Sequence, residues 1–348
     1  MSGFASDNWA GAHPEILDAI AAANTGHANA YGADEWTRRC EDVFRRHFGD
    51  EARAWPVFNG TAANVLSIAA VCEPWQAAVC TDTSHLHNDE AGAPERMAGV
   101  KLIPLATEQG KLAPQDIAPL LGRTGDEHAV QPRVVSITQA TELGTVYTPA
   151  EVSALAETAH DHGLLLHVDG ARLANAAAHL GATLAEITTD AGADVLSFGG
   201  TKNGLLLGEA VVFLNPDLGE RFEFVRKQLG QLASKMRFIS AQLTALLDGD
   251  LWLRNARHAN AMATRLAAAV ADLPGVELPH PVEANGIFPR LPDGVAEQLL
   301  ERHGDEFSFY PWPYEPGLVR WMCSWDTTED EVDRFAEMVA AIVRNAPG

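Results

Sequence analysis

The sequence predicts an α/β protein whose large domain contains a mostly parallel sheet, followed by a smaller α+β C-terminal domain. Between about residues 50 and 250, short apolar runs typical of buried strands alternate with helical segments. Beyond about residue 250 that alternation gives way to a different order of helices and strands. A length of 348 residues is enough for two domains, and we place them at 1–249 and 250–348.

The first 50 residues predict an arm with short helices that belongs to the large domain. One helix is predicted to begin at His13-Pro14, because proline suits the first helical position, and a second to end near Gly49. The predicted strands of the large domain are 77–80, 100–105, 133–138, 164–168, 195–198 and 210–214. The predicted helices between and after them are 65–71, 114–121, 149–162 and 221–247, the last interrupted near Gly230.

The C-terminal domain is predicted to be a smaller α+β domain. Its predicted helices are 252–272, 294–303 and 328–344, and its predicted strands are 276–279, 286–291 and 318–324. Arg320 lies within the last, otherwise apolar strand, where a charged group needs a partner. It is therefore either half of a structural ion pair or a receptor for a substrate carboxylate.

Lys202 is one of only five lysines in the chain, and it follows a strand and a glycine pair, Gly199-Gly200. A partly desolvated amine loses its proton more easily and becomes nucleophilic. This position therefore indicates a lysine that binds an aldehyde cofactor as a Schiff base. The alternative is an ordinary lysine in a surface loop.

The segment Trp55–Asn64 indicates a site for an anion. A strand end, Gly60, Thr61 and the start of a helix would place unpaired helical amides and the positive end of the helix dipole around a phosphate. The alternative is simply a capped helix, with Asn59 or Thr61 as the N-cap.

Asp169 is predicted to lie close to Lys202. Both follow strands of the predicted sheet, and ligands of such sheets bind at the carboxyl ends of the strands. A lone Asp-Gly after a strand usually forms only a turn, but beside a presented lysine the acid is positioned to neutralise a cationic heteroaromatic nitrogen.

Composition excludes several classes of partner and site. Because 47 acidic residues against 25 basic ones give a formal net charge of −22, we expect neither nucleic acid nor a membrane surface as partner. No apolar run is long enough to span a membrane and no signal-peptide pattern begins the chain, so we expect a cytoplasmic protein. The four cysteines show neither a disulfide framework nor a metal-binding spacing, and we expect free thiols and no metal.

With these residues in place, the whole chain resembles the low-specificity L-threonine aldolases of the aromatic β-eliminating lyase and threonine aldolase group. These are pyridoxal-phosphate enzymes of fold type I. The motifs that carry the resemblance are Ser6-Asp7, Tyr31-Gly32, the Gly-Thr-x-Ala-Asn turn at 60–64, His85 with Glu90-Ala-Gly92, HVDGAR at 167–172, the lysine turn, Met236-Arg237 and Arg320.

The resemblance implies a role for each cofactor-binding residue. Lys202 would hold pyridoxal 5′-phosphate covalently, Asp169 would pair with the pyridine nitrogen, and Gly60 and Thr61 would form part of the phosphate cup. His85 would stack on the cofactor ring. Two arginines also belong to this set: Arg172 beside the cofactor, and Arg237 reaching a phosphate from a neighbouring subunit.

The resemblance also implies substrate contacts and an assembly. The substrate-binding residues would be Ser6, Tyr31, Arg172 and Arg320, since a guanidinium can donate two parallel hydrogen bonds to a carboxylate. His128 aligns with a second family histidine near the substrate hydroxyl. The family also implies a homo-oligomer, a dimer or a dimer-based tetramer, with shared active sites.

The implied reaction is retro-aldol cleavage of a β-hydroxy-α-amino acid such as threonine to glycine and an aldehyde. For the general base, His85 is the first candidate, His128 the second, and His87 the third if a strand-like spacing places it on the same face as His85. Alternatives on the same scaffold are β-elimination, transamination and a preference for phenylserine. The aromatic cluster Tyr310–Tyr314 suits the last of these, although packing in a core or an interface is the favoured interpretation of that cluster. A different class is a binding protein that has kept the fold without catalysis.

The sequence departs from the family pattern at three places. Asn59 stands where many relatives have Thr or Ser, and the lysine turn is Thr-Lys-Asn rather than Ser-Lys-Gly. Gln139-Ala-Thr141 replaces the more usual Glu-Asn-Thr-His at a strand end near the cofactor. We expect the last change to alter substrate preference without removing catalysis.

Overall fold

A seven-stranded sheet organises the first two thirds of the chain in this computed structural model, which describes residues 2–313, 315 and 317–345. The strands, in chain order, are β1 (Ser2–Gly3), β2 (Arg53–Val57), β3 (Gln76–Thr81), β4 (Lys101–Leu105), β5 (Gln131–Thr138), β6 (Leu165–Gly170), β7 (Val195–Gly199), β8 (Glu209–Phe213), β9 (Gly286–Ile287), β10 (Phe307–Ser308), β11 (Tyr310–Pro311) and β12 (Val319–Met322).

Helices cover both faces of this sheet and form the outer layer of the C-terminal part. They are α1 (Pro14–Ala23), α2 (Glu35–Phe48), α3 (Gly60–Val71), α4 (His85–Asn88), α5 (Pro114–Ile117), α6 (Pro149–Asp161), α7 (Leu173–Leu180), α8 (Phe222–Gln228), α9 (Arg237–Leu247), α10 (Leu251–Val270), α11 (Val295–His303) and α12 (Glu329–Asn345).

The large sheet has the order β2-β8-β7-β6-β5-β3-β4, and its strands are parallel except for β8. In the register of the central strands, Thr138 lies opposite Asp169, and Asp169 lies opposite Ser197. The carboxyl ends of the parallel strands therefore meet at one edge, as the alternation of strands and helices predicted.

Local signals in the sequence account for where the helices begin. Thr148 and Glu151 form a capping box at the start of α6: the Glu151 side chain accepts from the Thr148 amide at 2.7 Å, and the Glu151 amide donates to the Thr148 hydroxyl at 3.2 Å. For α3 the structure chooses between the two candidate caps, because the Asn59 side chain accepts from the amide of Ala62 at 2.9 Å.

The C-terminal part has its own aromatic core, and the start of the arm belongs to it. Phe4 stacks on Phe335 with ring centroids 4.6 Å apart, and β1 pairs in parallel with β10. Trp321 completes this core against Phe335. The first residues of the arm therefore pack with the C-terminal part rather than with the large sheet, and the boundary at 249/250 stays a prediction.

The predicted interruption of the helical stretch 221–247 near Gly230 is confirmed, because α8 and α9 are separated by residues 229–236. Two other expectations need correction. The predicted strand at 276–279 is reduced to a single bridge between Glu277 and Arg290. His85 begins the one-turn helix α4, so His87 does not share its face and is exposed to solvent.

The described helices and the four cysteines can be compared with what the sequence predicted. Within the described ranges, the helices are too short or too polar to cross a membrane. The four cysteines are free thiols; Cys40, Cys80 and Cys323 are buried and Cys72 is half-buried.

Candidate active site

A cavity of about 480 Å³ opens at the carboxyl edge of the large sheet, and a second cavity of about 370 Å³ adjoins it. Lys202, Asp169, His85 and Gly60 line both. The structure thus brings together four of the residues that the sequence placed in one site.

A close contact between the ends of two strands positions Lys202 in the site. A Cβ on Gly199 would lie 2.6 Å from the Cα of Ala171, so only glycine lets the end of β7 pack against the turn after β6. Burial lowers the pKa of the Lys202 amine and the charge of Arg172 lowers it further, against the opposing charges of Asp7, Asp169 and Glu209. A half-buried cavity lysine with a lowered pKa fits a nucleophile, not a surface-loop lysine.

A hydrogen-bond network holds Asp169 in place. The Asn64 side chain donates to Asp169 Oδ2 and to Glu90 Oε1, each at 2.8 Å, and the amide of Ala171 donates to Asp169 Oδ1 at 3.0 Å. His85 Nδ1 lies 3.0 Å from Glu90 Oε1. Burial lowers the pKa of His85, but the hydrogen bond to Glu90 and the charge of Asp169 outweigh it, and the pKa is raised overall.

The start of α3 forms the second cavity. Gly60 and Thr61 line it, and the space beside the Gly60 Cα is open, because an added Cβ would meet no atom within 4 Å. The unpaired amides of this helix start give the cavity a positive end. An anionic group such as phosphate suits that position.

Arg320 occupies the opposite side of the first cavity. Its Nη2 donates to the carbonyl oxygen of Ala5 at 2.9 Å, while its buried Nε has no hydrogen-bond partner among the described residues. The guanidinium lies 5.5 Å from the ring centroid of Tyr310. Because no ion pair to Arg320 occurs in the described part of the chain, the geometry favours a carboxylate receptor over a structural ion pair.

Arg172 differs from the expectation. Its Nε and Nη2 donate to Asp7 Oδ2 and Oδ1 at 2.8 and 2.9 Å, so that the predicted grip on a substrate carboxylate is already made with a buried acid of the arm. Arg172 lines the first cavity, but two of its nitrogens are engaged. Asp7 also accepts from the Asn285 side chain at 3.0 Å.

The other predicted contacts divide between the cavity and the outer surface. Ser6 lines the first cavity, and its hydroxyl accepts from the amide of Asn8 at 3.2 Å. His128 is exposed in the loop that precedes β5, at the amino end of that strand. Since the cavity lies at the carboxyl ends, a place for His128 near the substrate hydroxyl of the same chain does not agree with the structure.

Tyr31 and Arg237 also lie outside both cavities of this chain. Tyr31 is 53% exposed with Lys227 Nζ 5.2 Å from its ring centroid, and Arg237 Nη1 donates to the carbonyl oxygen of Gly26 at 3.4 Å. The expected action of Arg237 from a neighbouring subunit stays a prediction.

Sequence patterns did not point to two carboxyl groups of the site, half-buried Glu142 and buried Glu209. Burial raises the pKa of Glu142 to about 6 and that of Glu209 to about 7. Glu209 accepts from the amide of Gly200 at 2.6 Å, directly before the lysine turn. The sequence did contain an indication of Glu142, because this residue directly follows Gln139-Ala-Thr141, where the chain departs from the family pattern near the cofactor.

The site also contains an unusual concentration of unsatisfied polar atoms. In native proteins most buried polar atoms have hydrogen-bond partners. Among the described residues, atoms without one that belong to this site are Asn64 Oδ1, Glu90 Oε2, Glu142 Oε2, Asn285 Oδ1 and Arg320 Nε. Such a cluster around one cavity fits a polar ligand.

Comparison with known proteins agrees with this geometry. The family model described as beta-eliminating lyase matches residues 3–292. The chain belongs to the beta-eliminating lyase family. Two relatives are each called low specificity L-threonine aldolase: one from Pseudomonas aeruginosa is 48% identical and one from Pseudomonas sp. (strain NCIMB 10558) is 47% identical, each over 98% of this chain and 97% of the relative.

Solved structures place this member of the beta-eliminating lyase family in the predicted fold class. The threonine aldolase of Leishmania major superposes with a TM-score of 0.91 at 31% identity, covering 99% of this chain and 100% of that one. The serine palmitoyltransferase of Sphingomonas wittichii, at 16% identity, shows the fold alone, with a TM-score of 0.73 over 99% of this chain and 87% of that one. The prediction of fold type I is thereby confirmed.

Proposed function

We propose that this protein is a pyridoxal-phosphate-dependent aldolase that cleaves L-threonine, L-allo-threonine and related β-hydroxy-α-amino acids to glycine and an aldehyde. The observation that carries the proposal is one cavity lined by a desolvated Lys202, a hydrogen-bonded Asp169 and Arg320. The close relatives called low specificity L-threonine aldolase support the same reaction, that of a carbon-carbon lyase.

The residues present fit pyridoxal 5′-phosphate. Lys202 would hold its aldehyde carbon, Asp169 its pyridine nitrogen, and Gly60 with Thr61 at the start of α3 its phosphate. His85, which lines both cavities, would lie against the ring. When bound, the cofactor supplies an electron sink for the electron pair released as the Cα–Cβ bond breaks.

Each group of the chain then has a physical task. Arg320 binds the substrate carboxylate through its unpartnered Nε, and in doing so fixes the orientation of the bond to be broken. Asn64 and the amide of Ala171 keep the Asp169 carboxylate oriented towards a cationic nitrogen. Burial and Arg172 keep the Lys202 amine readily deprotonated.

The decisive experiment is a measurement of aldehyde release. Purified protein with added pyridoxal phosphate is given L-threonine, L-allo-threonine, their D-isomers and L-phenylserine, and aldehyde and glycine are both quantified. We expect equimolar aldehyde and glycine from the L-isomers. If the cofactor binds but none of the substrates yields aldehyde, the proposed reaction is wrong.

A preference for phenylserine is the second candidate, and an observation favours it. The aromatic side chains of Phe288, Tyr310 and Trp312 line the first cavity, where a β-aryl group would find apolar contacts. Tyr314, the end of the aromatic cluster noted in the sequence, lies outside the described residues. A higher kcat/KM for L-phenylserine than for L-threonine would support this candidate.

We also propose that the protein is a homo-oligomer, a dimer or a tetramer, with shared active sites. Several large apolar side chains are exposed on the described surface, as expected of an interface, and two of them, Phe58 and Leu207, line the second cavity; the set is Tyr31, Phe58, Leu206, Leu207 and Phe224. Small-molecule amino acids remain the expected binding partners, and the cytoplasmic location stays a prediction.

Shared sites can be tested by mixing two inactive variants, since a site built from two chains needs Lys202 from one and Arg237 from the other. Dissociated and reassociated Lys202→Ala and Arg237→Ala chains are expected to regain about a quarter of wild-type activity, because half of randomly formed dimers contain one intact site. Light scattering gives the oligomer size. A fully active monomer would contradict the proposal.

The Gly60→Ala variant tests the phosphate cup separately. Since the added methyl meets no protein atom within 4 Å, we expect the free energy of unfolding of the cofactor-free protein to change by less than about 1 kcal/mol. The methyl would occupy space meant for phosphate, so cofactor affinity should fall at least about tenfold. Urea unfolding of the cofactor-free protein measures the first quantity, and titration of the same protein with pyridoxal phosphate measures the second. Gly122→Ala, also sterically open, serves as the control that keeps affinity unchanged.

A further inference from the structure

Glu142 has one carboxylate oxygen fixed and one unused. It lies in the loop between β5 and α6 and lines the first cavity together with Lys202 and Arg320. Its Oε1 accepts from the amide of His85 and from the hydroxyl of Thr138, each at 2.8 Å. Its Oε2 is closed to solvent and has no hydrogen-bond partner in the described part of the chain.

This arrangement prepares Glu142 to meet a donor that only a ligand can bring. Two donors from different elements, α4 and the end of β5, fix the plane of the carboxylate, so little reorganisation is needed when a ligand arrives. An unsatisfied buried acceptor is unfavourable unless a partner is supplied. A β-hydroxy amino acid supplies one O–H donor besides its amine, namely the β-hydroxyl.

The surroundings of Glu142 set its proton affinity. Glu142 interacts electrostatically with four ionisable side chains, those of Asp169, Arg172, Tyr147 and Cys80. It also accepts a hydrogen bond from the backbone amide of His85. Burial is the largest influence, the charge of Asp169 adds to it, and together they raise the pKa to about 6 against the two hydrogen bonds. Glu142 is therefore ionised at pH 7 to 8, yet takes up a proton more readily than an ordinary carboxylate.

We propose that Glu142 is the general base that removes the proton of the substrate's β-hydroxyl, a role that rests on the proposed aldolase function. The proton moves from the hydroxyl to Oε2 as the O–H bonding pair becomes the second bond of the aldehyde carbonyl. The Cα–Cβ pair stays with Cα, and the aldehyde leaves. Cα then takes up one proton and Glu142 gives its own back, so that no proton is gained or lost overall.

His85 is less suited to this step. Its ring, which lines both cavities, would lie against the cofactor, and its net raised pKa leaves less of the neutral imidazole, whose Nε2 would have to take up the proton, at a given pH. Glu90 also has one occupied oxygen, since its Oε1 accepts from both His85 and Asn64 while its Oε2 has no partner among the described residues. Glu142 differs from Glu90 because it lines the first cavity, whereas Glu90 lines neither.

The Glu142→Gln variant tests the proposal, since glutamine can keep the Oε1 contacts with His85 and Thr138 but cannot take up a proton. We expect kcat for L-threonine to fall roughly a hundredfold to a thousandfold, within the range for loss of general-base catalysis. Exchange of the glycine Cα proton with deuterium, which involves no β-hydroxyl, should stay within about threefold of wild type. Cofactor affinity, titrated on the cofactor-free protein, should not change.

The pH profile gives an independent readout. Wild-type kcat/KM should decline as pH falls through about 6, where Glu142 becomes protonated, and this acidic limb should be absent in Glu142→Gln. The folded pKa exceeds the usual 4.5, so Glu142 lowers the stability of the native state progressively as pH rises from 4.5 to about 6, and the loss is complete above that pH. The cofactor-free Glu142→Gln protein should therefore unfold at pH 8 at no lower temperature than wild type. Glu157→Gln, an exposed carboxylate on α6, is the matched control without any of these effects.

Two results would overturn the assignment. Cleavage within threefold of wild type with an unchanged acidic limb shows that another group is the base. A parallel loss of cleavage, glycine exchange and cofactor affinity shows a structural role instead. Wild-type protein that binds cofactor and exchanges glycine but releases no aldehyde overturns the proposed function itself, and the assignment with it.

Discussion

Replacing Lys202 by alanine is expected to lower aldehyde release by roughly a thousandfold or more, equivalent to about 4 kcal/mol of transition-state stabilisation. Lys202 is the amine in both cavities whose pKa burial lowers, and no other lysine of the chain lines either of them. Without it the cofactor has no amine to hold its aldehyde carbon. The measurement is kcat for L-threonine together with the visible absorption band of protein mixed with pyridoxal phosphate.

Lys202→Arg is the control for charge. Arginine keeps the positive charge beside Asp169 but does not lose its proton, so it cannot act as the nucleophile. We expect it to be as inactive as the alanine variant. If either variant still holds the cofactor covalently and still cleaves threonine, the role assigned to Lys202 is wrong.

The sheet was predictable because its strands are nearly continuous apolar runs. β6 and β8 are buried along their whole length, and a parallel sheet covered on both faces requires such runs. The positions of Asp169 and Lys202 were predictable because both residues follow strands, and ligands of parallel sheets bind at the carboxyl ends of the strands. Sequence patterns alone did not predict that the arm's Phe4 packs in the C-terminal core, because that contact joins residues more than 300 positions apart.

The candidate site was predictable only in part, for a similar reason. Each motif could be placed at a strand end, but the partner of a charged side chain depends on the assembled fold. Arg172 was expected to meet the substrate, whereas Asp7 of the arm already holds it. In the sequence Asp7 resembles an ordinary helix cap, and no local pattern reveals that it becomes buried.

Glu142 and His128 show the limit of matching residues by type. A histidine was sought near the substrate hydroxyl, and His128 lay within reach in the sequence. The structure places His128 at the opposite end of β5, while the loop after β5 brings Glu142 into the cavity. Residue type alone did not show which of the two lies in the cavity, because this depends on the end of β5 at which each residue lies.

Asp7→Asn is expected to have the largest effect on stability, lowering the free energy of unfolding by about 3–5 kcal/mol. Asp7 is 1% exposed and holds both Nε and Nη2 of Arg172, so the substitution leaves a half-buried guanidinium without the carboxylate that pairs with it. Asn285 would also lose a charged acceptor. Urea unfolding of the cofactor-free protein at pH 8 measures the change. Glu15→Gln, which breaks the exposed pair with Arg254, should leave the free energy of unfolding nearly unchanged, because solvent screens such a pair.

The pH dependence of this difference distinguishes ion pairing from packing. Burial raises the pKa of Asp7, but the charges of Arg172 and Lys202 outweigh it and hold the folded-state pKa below 3.8. A carboxyl whose folded pKa is lowered contributes stability that is complete above its unfolded pKa and is lost as pH falls through the folded value. The gap between wild type and Asp7→Asn should therefore be constant from pH 8 to about 5 and narrow below about 4. A gap that stays constant down to pH 3 would mean that Asp7 stabilises the fold through its shape and hydrogen bonds rather than through its charge.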